Sequence, residues 1–92
     1  MLVYVAEGHN RDDSARNIGA ALTPELALEV IRQCIETTNV KHDYYTISVF
    51  DTEVGYRNTK RVIAVEAKLE YRGFAWHVVS LALGNEGPDV AY

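Results

Sequence analysis

Apolar and polar positions along this chain follow two periods, and the change from one to the other divides it into elements. Residues 44–54 alternate, with Tyr45, Ile47 and Val49 on one side and Thr46, Ser48 and Phe50 on the other. A repeat of two marks a strand with one buried face. Residues 61–72 alternate too, setting Ile63, Val65, Ala67, Leu69 and Tyr71 against Val62, Ala64, Glu66, Lys68, Glu70 and Arg72. Arg72-Gly73 fits a two-residue hairpin loop, because glycine tolerates the positive φ such turns require, so residues 74–83 predict a strand folding back. Residues 2–7, apolar and rich in strand formers, predict another at the start.

Between these lies a repeat of 3.6. Ala27, Val30, Ile31, Cys34 and Ile35 recur at helical spacing opposite Glu25, Glu29, Arg32, Gln33 and Glu36, which predicts a helix with one buried stripe. Thr23 is placed to cap the first free amides, Pro24 suits the first helical position, and Glu25 complements the positive end of the dipole. Asn39 is an acceptable left-handed terminator. Residues 8–22 are the least regular. Asn10, Asp12, Asp13, Ser14 and Asn17 favour turns while Ala15, Ile18 and Leu22 fall at helical spacing, which predicts a loop with a helical turn.

The expected fold class is therefore α+β, in the order β-(loop)-α-β-β-β, with one main helix on a largely antiparallel four-stranded sheet. If Tyr71 faces Phe74 across the turn, Leu69 meets Trp76, Ala67 meets Val78 and Val65 meets Ser80. This aromatic side is the expected seat of Val30, Ile31 and Ile35. The reverse side then gathers Val62, Ala64, Val79, Leu81 and Leu83, an apolar patch that needs a cover. Candidate covers are the segment over residues 11–22, the end of the chain with Val90 and Tyr92, a second copy, or a foreign partner. A slip of one residue would scatter the patch.

Composition narrows the picture. Ninety-two residues, 48% of them hydrophobic, make a single domain over residues 1–92. The net charge of −4 comes from scattered acidic residues, and the nine Lys and Arg form no cluster, so direct nucleic-acid binding is disfavoured. No apolar run approaches the roughly 20 residues needed to span a bilayer. The lone Cys34 and the absence of an export-type leader point to the cytoplasm.

Catalytic signals are sparse. His9 stands near Arg11, Asp12 and Asp13, a grouping able in principle to move protons, although turn-forming residues explain the loop equally well. His42 and Asp43 are adjacent before a strand, where neighbours point to opposite faces, so solvated loop residues are expected rather than a dyad. His77 belongs with Lys68, Glu66 and Glu70 on the reverse face. Asp51 and Glu53 share a face but are too few to specify a cation. Cys34 lies within the helical stripe as a small hydrophobe. No phosphate loop, dinucleotide fingerprint, nucleophile elbow or paired-cysteine motif occurs, so neither cofactor nor metal is expected and the chain is read as non-catalytic.

What remains is surface. Six tyrosines are many for this length. Tyr44, Tyr56 and Tyr92 fall at element ends or in loops, where a phenol can be half exposed and serve an interface. The layout resembles that of small phage-encoded inhibitors of bacterial immunity, some type I anti-CRISPR proteins among them. The likeness comprises a strand opening Leu2-Val3-Tyr4-Val5, a polar loop, a helix opening Leu22-Thr23-Pro24-Glu25-Leu26-Ala27, and three meander strands. It implies a protein that binds a defence complex and blocks its target site or its conformational change, and it assigns no residue a role. The expectation is a protein-binding module whose partner, or second copy, docks on Val62, Ala64, Val79, Leu81, Leu83, Tyr44, Tyr56 and Tyr92. The alternatives are a small-ligand or nucleotide binder and a regulatory subunit of a neighbouring enzyme.

Overall fold

The structure, a computed structural model, describes residues 1–53 and 61–86. Val54, the expected connection over residues 55–59, and residues 87–92 with Tyr92 lie outside them, as does Tyr56. The described elements are β1 (Leu2–His9), β2 (Ala15–Ala21), α1 (Pro24–Thr38), β3 (Tyr44–Asp51), β4 (Arg61–Arg72) and β5 (Ala75–Glu86). They form one antiparallel sheet in the order β2-β1-β3-β4-β5. The class is α+β as expected, but the sheet has five strands where four were expected.

The additional strand is β2, in the segment expected to be a loop with a helical turn. A tight reversal over residues 10–14 makes it a hairpin partner of β1. The amide of Asn10 donates to the Ser14 carbonyl, Asp13 takes a positive φ of 65°, and the Asp12 carboxylate accepts from the Ser14 amide. Along β2 the pairing slips between Asn17 and Gly19, leaving Ile18 as an extra residue. Such a bulge breaks the alternation by which a strand is recognised in a sequence.

The helix begins and ends where its caps predict. Thr23 Oγ1 accepts the Leu26 amide at 3.1 Å with Pro24 in the first turn, and Asn39 closes the helix at φ 55° with its amide on the Ile35 carbonyl. Ala27, Ile31 and Ile35 are fully buried, against a core completed by Ala6, Tyr45, Ile47, Val49 and Ile63. The β3 alternation is thus as expected. The partner face of the stripe is not, because β1, β3 and the first part of β4 supply the core, while Leu69 and Trp76 pack at its margin. Tyr71 is 55% exposed and Phe74 is 89% exposed. Three middle strands bring their apolar sides to one place, and that outweighs a single aromatic hairpin.

The hairpin register corrects a second expectation. Its two loop residues are Gly73 and Phe74, at φ 60° and 64°, and Arg72 pairs with Ala75. Tyr71 therefore faces Trp76 and Leu69 faces Val78, a shift that leaves both pairs on the helix side. Beyond Val78 the pairing slips, with Lys68 opposite Ser80, Ala67 opposite Leu81 and Val65 opposite Leu83. One inserted residue reverses the side on which the next β5 side chains stand, up to a second slip after Leu83. Leu81 and Leu83 consequently share the helix side with Val65, and Leu81 packs on the core margin. The expected patch of Val62, Ala64, Val79, Leu81 and Leu83 is divided between the two faces.

The helix lies against both edge strands, β2 and β5, as well as β1, so the sheet curls round it. Ile31→Ala removes a fully buried side chain from the centre of this wrap and should cost about 2–5 kcal/mol. Trp76→Ala, at the margin, should cost less. Chemical denaturation of the two variants beside the parent checks the order.

Candidate functional site

Two groups of polar and aromatic side chains gather at the end of the sheet where β1 finishes and β3 starts. The first is on the face away from the helix. Pairing of β1 with β3 sets His9 opposite Tyr44 and Glu7 opposite Thr46. The His9 and Tyr44 rings stack at 4.6 Å, and His9 Nε2 is 2.7 Å from the Thr46 hydroxyl and 4.0 Å from Glu7 Oε2. Ser48 Oγ donates to Glu7 Oε1 at 3.3 Å. A relay needs the base between nucleophile and carboxylate, one on each ring nitrogen. Here Thr46 and Glu7 both stand at Nε2, so the cluster ties strands together and lacks the relay arrangement.

The second group surrounds His42 in the connection between α1 and β3. His42 was expected to be solvated, yet it is only 8% exposed. Its ring lies over the backbone of Gly8, so closely that a Cβ there would collide with it. Asn10 Oδ1 stands 3.1 Å from His42 Nδ1, while the Asn10 amide nitrogen donates to Ser14 Oγ. An amide oxygen only accepts, so Nδ1 carries the proton of the neutral ring. The His42 amide donates to the Tyr45 phenol at 3.0 Å, and the rings meet edge to face. Burial pushes the Tyr45 phenol above its ordinary range. Asp43 Oδ2 accepts the Arg11 amide at 2.6 Å, so His42 and Asp43 each bond the turn after β1. His42 and Asp43 are not a dyad.

From here β4 and β5 run on alone. Strand β3 pairs with β4 only as far as Val65, so residues 66–72 extend roughly 23 Å past it as an arm, at about 3.3 Å per residue. The helix end holds this arm. Trp76 donates its amide to Asn39 Oδ1 at 2.7 Å, and Asn39 Nδ2 donates to the Phe74 carbonyl at 3.4 Å. Lys41 Nζ rests 5.4 Å from the centre of the Trp76 ring, a cation over an aromatic face. Trp76 in turn lies tilted against Tyr71 at 5.1 Å. Between arm and connection is a cavity of about 490 Å³ lined by residues 41–45, Val65, residues 67–69 and Trp76.

Of the residues singled out from the sequence, Tyr44 lines this cavity and is exposed, and Val79 is exposed at the β5 slip. Val62 lies opposite Ser48 and Ala64 opposite Thr46, on the face away from the helix. Leu81 lines a smaller groove against Leu28 and Arg32 of the helix, and Leu83 is on the same side. His77 pairs with Glu70, where Lys68 was expected, and its Nε2 lies 3.2 Å from the Arg72 carbonyl. The residues 11–22 segment widens the sheet as β2 beside β1 and does not cover the reverse face; its Leu22 is exposed. Phe74, Lys41 and Asn39 were not singled out as interaction residues. A phenylalanine in a turn needing positive φ was the available signal for the first.

Among the described residues, no three His, Cys, Asp or Glu side chains are grouped to hold a metal ion, and no helix is long and apolar enough to cross a membrane. Comparison with family models, with curated proteins and with solved structures finds no match.

The His42 environment makes stability depend on pH. Burial, aided by the neighbouring Arg16 and His9 and opposed by Asp43, holds its pKa below the usual 6.5. As pH falls through about 6.5 the unfolded chain takes up a proton that the folded chain refuses, so stability is lost from there down to the lowered folded value. Denaturation midpoints should therefore fall as the pH is taken down through about 6.5, and His42→Gln should flatten that part of the profile.

Proposed function

We propose that this chain is a non-catalytic protein-binding module that presents the β4–β5 arm to a larger protein, with Phe74 as the anchor. The observation that carries this reading is the state of Phe74, which occupies a left-handed turn position at φ 64° and is 89% exposed. Turns of this kind favour asparagine or glycine, because a Cβ in the left-handed region costs about 1–2 kcal/mol. An aromatic ring that strains the turn and buries little among the described residues is accounted for by contacts outside the chain. Large aromatic side chains are the usual anchors of protein interfaces. Tyr71, half exposed on the adjoining strand, enlarges the apolar surface at the same end.

Asn39 and the Lys41–Trp76 contact support the reading, because an anchor held in place loses little freedom on docking. The likeness to phage-encoded inhibitors supplies a class of partner, a bacterial defence complex whose working surface the arm would occupy. A second copy of the chain is the other occupant of the same kind.

The test compares tagged parent and Phe74→Gly in quantitative affinity capture from the native host, with melting temperature measured alongside. Glycine suits the turn, so the variant should melt at the same temperature or higher. Capture of a specific partner should fall at least tenfold, equivalent to about 1.4 kcal/mol. Equal capture by both proteins would remove Phe74 as the anchor.

A further inference from the structure

The geometry points to a binding site for a small phosphorylated aromatic molecule, of nucleoside monophosphate size, in the cavity between the arm and the α1–β3 connection. Its volume of about 490 Å³ lies within the range of about 300–1,000 Å³ common to small-ligand sites. Charge is the first reason for the assignment. The chain carries a net charge of −4, yet Lys41 and Lys68 both line this one cavity. Neither makes an ion pair with a carboxylate among the described residues, whereas Arg32, on the outer face of the helix, is braced by Glu29 and Glu36. Two ammonium groups without a carboxylate partner, Lys41 resting on the Trp76 ring, suit a phosphate monoester, which carries about −1.5 to −2 charges at neutral pH.

The remaining walls suit the rest of such a ligand. Trp76 and Tyr44 supply aromatic surface, with Val65, Ala67 and Leu69 beside them. An aromatic base stacks on such a surface for about 1–3 kcal/mol. Asp43, also in the lining, keeps one carboxylate oxygen on the Arg11 amide, which leaves the second to accept from an exocyclic amino group. The β4 backbone over residues 67–69 lines the cavity with no strand paired to it on that side, and offers further donors and acceptors. Two cations, a carboxylate and two aromatic side chains in the lining of one cavity supply the kinds of group that a phosphate, an amino group and a base would each require.

This site does not depend on the Phe74 anchor, and the two fail separately. Trp76 is the only tryptophan in the chain, so its fluorescence reports the cavity directly. Titration of the purified protein with adenosine monophosphate should give a saturable change. Adenosine alone and inorganic phosphate alone should each bind at least tenfold more weakly. Lys41→Ala and Lys68→Ala should each weaken binding of the nucleotide at least threefold, and the double variant at least tenfold, with the melting temperature preserved. Phe74→Gly should bind it as the parent does. No saturation up to roughly 10 mM, a range far weaker than useful affinity, would overturn the assignment. So would unchanged binding by the double lysine variant, or an inorganic phosphate response equal to that of the nucleotide.

Discussion

The arm and the cavity depend on one residue at the end of the helix. Asn39 adopts the left-handed conformation that stops the helix, and its side-chain amide then reaches the first residues of β5. An amide side chain has one acceptor and one donor group, the same complement as a peptide unit. Asn39 uses both as a neighbouring strand would, taking the Trp76 amide and giving to the Phe74 carbonyl. Glycine could end the helix equally well but could make neither bond. Through this contact the helix fixes a hairpin that has run past its last strand partner at Val65.

Much else follows from that fixed position. With the arm held against the helix end, the connection to β3 passes beside it, Lys41 meets the Trp76 face, and a cavity remains where β4 has no further pairing. Farther along, the slip at Val79 turns Leu81 and Leu83 toward the helix side. The curl of the sheet brings β5 and β2 to the flanks of the helix. Phe74, the most exposed of the described large apolar side chains, stands with Tyr71 at the tip of the arm, beyond the reach of the core.

The elements with regular local signals were legible in the sequence. Thr23, Pro24 and Asn39 bound the helix correctly because capping is a local matter, and β4 spans residues 61–72 as its alternation predicts. Local signals could not show β2, whose pattern is broken at Ile18 and whose pairing is made by the turn over residues 10–14. They also misplaced the hairpin turn, because a Gly-Phe pair in left-handed geometry is an improbable choice beside Arg-Gly. The apolar patch failed for the same physical reason. Its five residues share a face only in an unbroken register, and a bulge is a tertiary choice that alternation does not announce. His42 was read as solvated because its burial depends on Gly8, far away in sequence and made adjacent by the sheet.

The measurement that bears most directly on this account is amide hydrogen exchange at Trp76 in the parent and in Asn39→Gly, a variant that keeps the left-handed helix end and removes only the side-chain amide. If Asn39 holds the arm, the Trp76 amide should exchange at least tenfold faster in the variant, while amides of the β1 and β3 core keep their protection. Unchanged protection at Trp76 would contradict the account, because the arm would then be held by something other than the helix end.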